Sequence, residues 1–79
     1  MQTIIIGGLY RHFKGMYYFV KDIAQHSETD ELFVVYQQLY DERKTFIRPL
    51  SMFASEVDVD KYPNSKQQYR FQLMSGREA

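Results

Sequence analysis

Nine consecutive residues, Leu32–Tyr40 (LFVVYQQLY), carry no charge, glycine or proline, and acidic sequence bounds them at Glu28–Glu31 and Asp41–Glu42. Nearly all of these side chains are β-branched, aromatic or long and apolar, which suits a pleated and covered surface, so the run is expected to be the central strand. With a period of two, Leu32, Val34, Tyr36 and Tyr40 share one face, and Phe33, Val35 and Leu39 share the other. Neither face is polar. One is therefore expected to lie against a core, and the other to be a partly wetted aromatic surface.

The flanking sequence supplies partners for such a strand. Leu9–Phe13 reads as a first strand, Lys14-Gly15 as a turn, and Met16–Ala24 as a second strand whose two faces are equally mixed. A helix over Lys21–Glu31 is rejected, because Ile23 and Ala24 alone give it no apolar face to bury. Gln25–Glu31 is then a polar connection and Asp41–Lys44 a charged turn. Thr45–Arg48 makes a fourth strand stopped by Pro49, which cannot continue a ladder. Leu50–Ala54 is long enough for one helical turn, with Leu50 and Phe53 three residues apart. Val57–Lys66 is polar with a turn at Pro63-Asn64-Ser65, and strand character returns at Tyr69–Met74. Residues 1–8 are expected to form an arm or edge strand broken at Gly7-Gly8, and residues 75–79 to fray. The pattern predicts an all-β domain: a small antiparallel, SH3-like barrel of five or six strands, with one helical turn before the last strand.

A chain of 79 residues has room for one core and no separate catalytic domain. Ten Lys and Arg balance ten Asp and Glu, so overall charge does not direct the chain to nucleic acid or to a membrane. Without cysteine, disulfides, thiolate chemistry and cysteine zinc sites are excluded. The start of the sequence lacks the apolar run of a signal peptide, and no stretch approaches the length of a membrane span. A cytoplasmic protein is expected.

Four blocks carry a resemblance. YRHFKG at Tyr10–Gly15, IAQHSET at Ile23–Thr29, VVYQQLY at Val34–Tyr40 and FIRP at Phe46–Pro49 occur in this order and at close spacing. Together, from about Gly8 to Phe53, they resemble a bacterial family of short proteins known as a domain of unknown function, family sixteen fifty-three. The resemblance implies a small SH3-like barrel. It brings no catalytic residues with it.

Charge is segregated along the chain. An up-and-down meander would gather Lys14, Arg43 and Lys44 near Phe13 and Tyr40, as a basic aromatic rim able to hold phosphate or a single strand, or as plain solvated turn charge. The same topology would bring Arg48 beside Asp22, Glu28, Asp30 and Glu31, where a structural ion pair is expected. His12 and His26 lack metal-ligand spacing, and His26-Ser27-Glu28 is no catalytic relay, so packed or turn-capping histidines are expected. No phosphate-cradling glycine loop occurs.

Seven Tyr and six Phe are a high aromatic load, and most of the Phe are expected in the core. Tyrosines such as Tyr36 and Tyr40 are ambiguous, since the ring can pack while the hydroxyl stays wet. A Tyr-lined sheet face is also what small barrels that bind peptides or bases display. The leading reading is a non-catalytic binding module for a peptide, a protein partner or a small anion. Its expected site is Tyr10, Arg11, His12, Lys14, Tyr36 and Tyr40, with no metal and no cofactor. A small enzyme using His12 or His26 with the Glu28 carboxylate is one alternative, and a single-stranded nucleic-acid binder another. A histidine in a closed pocket hydrogen-bonded to a carboxylate would mark the enzyme; a continuous basic stripe would mark the nucleic-acid binder.

Overall fold

Residues 2–75 are described by a computed structural model of the chain. The chain forms five strands, β1 (Leu9–His12), β2 (Tyr17–Gln25), β3 (Leu32–Gln38), β4 (Thr45–Pro49) and β5 (Phe71–Ser75), the first four joined by short turns and the last reached through a long loop. A single helical turn, α1 (Leu50–Phe53), follows β4 directly, with Pro49 at its N-cap position. All pairings are antiparallel, and the sheet order is β4-β3-β2-β1-β5. The uncharged run Leu32–Gln38 is an interior strand, paired on both sides by β2 and β4, but the middle of the five strands is β2 and not this run. No helix among the described residues is long and apolar enough to cross a membrane.

The mixed faces of β2 have a simple origin. The register against β3 slips between Val20 and Asp22, leaving Lys21 as the extra residue of a bulge. Ahead of the bulge Tyr18 and Val20 are buried; after it Ile23, of opposite parity, packs on the same core. A bulge resets the alternation of side chains, so no single period-two pattern can describe the strand.

The inner face is aromatic. Tyr10, Val20, Val34, Phe53 and Phe71 are essentially inaccessible to solvent. The Phe53 ring stacks on Phe71 at 4.0 Å and 7° and meets Tyr10 and Tyr36 edge-on. Each fully buried Phe contributes roughly 1.5–3 kcal/mol of transfer free energy, and each well-placed aromatic pair about 0.5–1.5 kcal/mol more. The sheet itself is open, in contrast to the closed barrel expected from the sequence. β4 and β5 are its two edges, and instead of a ladder joining them the Phe53 ring lies against β5 and β3.

The N-terminal segment is an arm rather than a strand. Ile4 is buried, the Ile5 amide donates to the Tyr10 hydroxyl at 2.8 Å, and Gly7 and Gly8 exchange backbone bonds with Val20. A side chain at Gly8 would meet the Tyr10 ring at 2.8 Å, so only glycine lets the arm approach this closely. Ser75 ends β5; the rest of the tail expected to fray lies outside the described residues.

Candidate functional site

The turn between β1 and β2 is built on His12. Its amide donates to Met16 O, and the Gly15 amide returns to His12 O at 2.7 Å. Gly15 sits at φ 109°, a conformation that favours glycine. The Lys14 amide donates to His12 Nδ1 at 3.1 Å, which places the proton of the neutral ring on Nε2. The ring lies 4.6 Å from Phe13 and edge-on to Phe71 at 5.0 Å. Burial, and then the charges of Arg48, Lys14 and Arg70, hold the His12 pKa down to about 4. His12 is therefore a neutral hydrogen-bond donor at neutral pH.

Two other elements bring their cations to this turn. Arg48 pairs opposite Val34 across the sheet, on the core side. Its Nε donates to the Tyr36 hydroxyl at 3.2 Å and its guanidinium lies 5.5 Å from the Phe71 ring. Arg70 is fixed by its backbone, donating to Ser55 O and accepting from the Phe13 amide at 3.0 Å. In the loop before it, Asp58 Oδ1 accepts from the Asp60 and Lys61 amides. That turn sets Tyr62 4.7 Å from Phe13, with Lys14 Nζ 5.5 Å from the Tyr62 ring.

The result is a cavity of about 370 Å³ beside His12, lined by four cations, Lys14, Arg48, Lys61 and Arg70, and by one acid, Asp58. Phe13 and Tyr62 form its aromatic wall. None of the four cations is in an ion pair among the described residues, where the one salt bridge is Lys44–Glu42 at 3.3 Å. Arg70 Nε is buried without a hydrogen-bond partner among those residues. Buried guanidinium groups ordinarily find a carboxylate, so an excess of positive charge here, in a chain of zero net charge, is a local construction.

Of the residues expected at a binding face, His12 and Lys14 line this cavity and the others do not. Tyr10 is fully buried; its hydroxyl is spent on the N-terminal arm, and burial raises its pKa. Tyr36 is buried as well, because alternation along β3 turns it to the core with Val34. Tyr40 bonds the Tyr18 hydroxyl at 2.5 Å, and burial followed by that bond raises the Tyr18 pKa. Arg11 faces away and donates to Gln67 Oε1 at 2.9 Å. Arg43 and Lys44 lie on the exposed β3–β4 turn, where Lys44 pairs with Glu42, and neither lines the cavity beside His12.

The ion pair expected for Arg48 is also absent among the described residues. Alternation along β4 turns Ile47 out and Arg48 in, toward the Tyr36 hydroxyl and the Phe71 ring. His26 caps its own turn, its Nδ1 accepting from the Glu28 and Thr29 amides. Neither histidine is hydrogen-bonded to a carboxylate among the described residues. No group of three or more potential metal ligands occurs there.

Asp58, Lys61, Tyr62 and Arg70 are site residues that the sequence pattern does not single out. Asp58, Lys61 and Tyr62 sit in what reads as a polar connector and Arg70 in what reads as the last strand, and the signal available was an arginine set between Tyr69 and Phe71.

Comparisons with known proteins locate relatives without a role. The chain matches a family described as "Protein of unknown function (DUF1653)" over residues 8–73. It is similar to a crystal structure of a DUF1653 protein from Bordetella bronchiseptica, with 32% identity and a TM-score of 0.72 over 92% of this chain and 91% of that one. No curated protein matches it.

Proposed function

This chain belongs to the DUF1653 family of proteins of unknown function, and we propose that it is a non-catalytic binding module that holds a small anionic ligand between the β1–β2 turn and the 57–70 loop. The observation that carries this reading is the unpaired charge: four cations around one cavity, with one acid, and a buried Arg70 Nε lacking a partner. A buried donor left unsatisfied costs about 1–3 kcal/mol, a penalty that a bound anion removes. His12 adds a neutral donor. Its depressed basicity makes it a poor proton acceptor, and with no carboxylate to orient it, a binding role suits it better than general base catalysis. The return of β5 beside β1 supports kinship of the open sheet with SH3-like barrels. The lack of cysteine suits a module that works in the reducing cytoplasm.

Titration of the ¹⁵N-labelled protein with inorganic phosphate and with citrate tests the reading. Resonances of His12, Lys14, Lys61 and Arg70 should move together at about millimolar concentration or below. The double variant Lys14→Ala, Lys61→Ala changes two exposed side chains; it should fold as the parent does and lose most of the response. Anions that leave these resonances still would end the proposal.

A further inference from the structure

A second cavity, of about 810 Å³, shares Phe13 with the basic one and has a different lining. It carries two cations, Arg11 and Lys66, no acid, the aromatic ring of Tyr17, and a row of side-chain amides that includes Asn64, Gln68 and Gln72. The two cavities together take six of the chain's ten Lys and Arg and one of its ten Asp and Glu. Arg11 is braced there by Gln67, whose own amide is committed to the Arg11 and Tyr69 carbonyls. Asn64 and Gln72, by contrast, make no side-chain hydrogen bond among the described residues.

Each lining has a chemical counterpart. A concentration of guanidinium and ammonium groups matches a multiply charged oxyanion such as phosphate. Uncommitted Asn and Gln amides present a donor and an acceptor side by side, the complement of a nucleobase edge. Aromatic rings between cations offer a stacking surface for a base. A peptide backbone would also satisfy amides, but it leaves the excess positive charge of the first cavity unanswered. Both volumes fall within the range of small-molecule sites.

We propose that the ligand is a nucleoside phosphate, its phosphate in the Lys14–Arg48–Lys61–Arg70 cavity and its base against Phe13 and the Asn64–Gln72 amides. This rests on the anion site described above and adds the identity of the organic part. Free nucleotides and single-stranded RNA or DNA both present this chemistry.

The experiment is an NMR titration of the full chain with the four ribonucleoside 5′-monophosphates, the corresponding nucleosides, inorganic phosphate and phosphoserine. A monophosphate should bind at least about fivefold tighter than phosphate or phosphoserine, moving resonances of Lys14 and Lys61 together with those of Asn64 and Gln72. Asn64→Ala with Gln72→Ala should remove that gain and leave phosphate affinity unchanged. Fluorescence anisotropy with labelled single-stranded decamers then separates the two sources. Binding about tenfold or more tighter than the monophosphate assigns a strand, with steep salt dependence; equal or weaker binding assigns the free nucleotide. Monophosphates that bind no tighter than phosphoserine, with phosphate binding intact, overturn this inference and leave the anion site standing. Failure of phosphate and nucleotides alike overturns both.

Discussion

The two ends of β2 carry two histidine turns built by the same local device. At His12 the imidazole Nδ1 accepts the Lys14 amide at 3.1 Å; at His26 it accepts the Glu28 amide at 3.2 Å. Beyond that the turns diverge. His26 is exposed, its ring 6.3 Å from Phe33 and its neighbours the acids of its own hairpin. His12 lies half-buried on Phe13 and Phe71, among cations delivered by β4, by β5's approach and by the 57–70 loop. A turn-capping histidine is a local event that hydrogen bonding explains completely. What makes one of the two a candidate site is the distant chain that packs over it.

The largest expected effect tests whether the His12 end is seated on the core while the His26 end is not. Phe71 stacks on Phe53, meets Tyr18 and Tyr36, and forms the floor under His12 and Arg48. Phe71→Ala should cost about 3–5 kcal/mol, a large share of what a domain of this size has to lose. Phe33→Ala, beside His26 at the other end, should cost about 1 kcal/mol. Urea denaturation of both variants measures the difference, and equal costs would mean that the two ends are equally anchored.

A smaller effect separates the histidines by pH. The ordinary His pKa of 6.5 is lowered to about 4 at His12, by burial first and by the Arg48, Lys14 and Arg70 charges next. Between those values the unfolded chain binds a proton at His12 and the folded chain does not. Stability therefore falls as pH drops from 6.5 toward 4 and levels off below. Discounted for the solvent that still reaches the ring, the loss is about 1–2 kcal/mol. His12→Asn keeps an acceptor for the Lys14 amide and should flatten that part of the pH profile; His26→Asn should leave it in place. Chemical denaturation at pH 4, 5, 6 and 7 would show a slope that survives His12→Asn if some other group is responsible.

The strands were legible because their signals are local. The uncharged run at Leu32, the turns at Lys14-Gly15 and Asp41–Lys44, and the helical turn after Pro49 each follow from a few adjacent residues. The faces were not. An extra residue at Lys21 inverts the alternation midway along β2, and nothing in YYFVKDIAQ marks where pairing slips. Tyr10 was expected at a binding face beside Arg11, His12 and Lys14, yet the N-terminal arm supplies the partner for its hydroxyl and covers it. Arg48 was readable as an inward arginine only by counting from Ile47, and its partner proved to be aromatic rather than acidic. The site escaped for the same reason that it is interesting: Lys14, Arg48, Lys61 and Arg70 are far apart in sequence, and only tertiary packing adds their charges together.

The smallest effect concerns that addition of charge. Four cations around one cavity with a single acid repel one another, and the repulsion is felt through a partly desolvated space. Removing two of them should relieve it. Lys14 and Lys61 are exposed and unpaired among the described residues, so Lys14→Ala with Lys61→Ala leaves no buried group without its partner. The aromatic contacts of both ammonium groups are lost in the same step, which opposes the gain, but that loss depends little on salt. The repulsion does depend on it: its range shrinks from about 30 Å at 0.01 M to about 3 Å at 1 M. The melting temperature of the double variant relative to the parent should therefore be higher at 0.01 M salt than at 1 M, by about 1–3 °C. The counterpart at the other end, Glu28→Gln with Glu31→Gln, neutralises carboxylates that face water and should show less than half of this salt dependence. If the lysine variant shows no salt dependence beyond that of the glutamate variant, the charges at the His12 end are as well solvated as those at the His26 end, and the electrostatic difference between the two turns disappears.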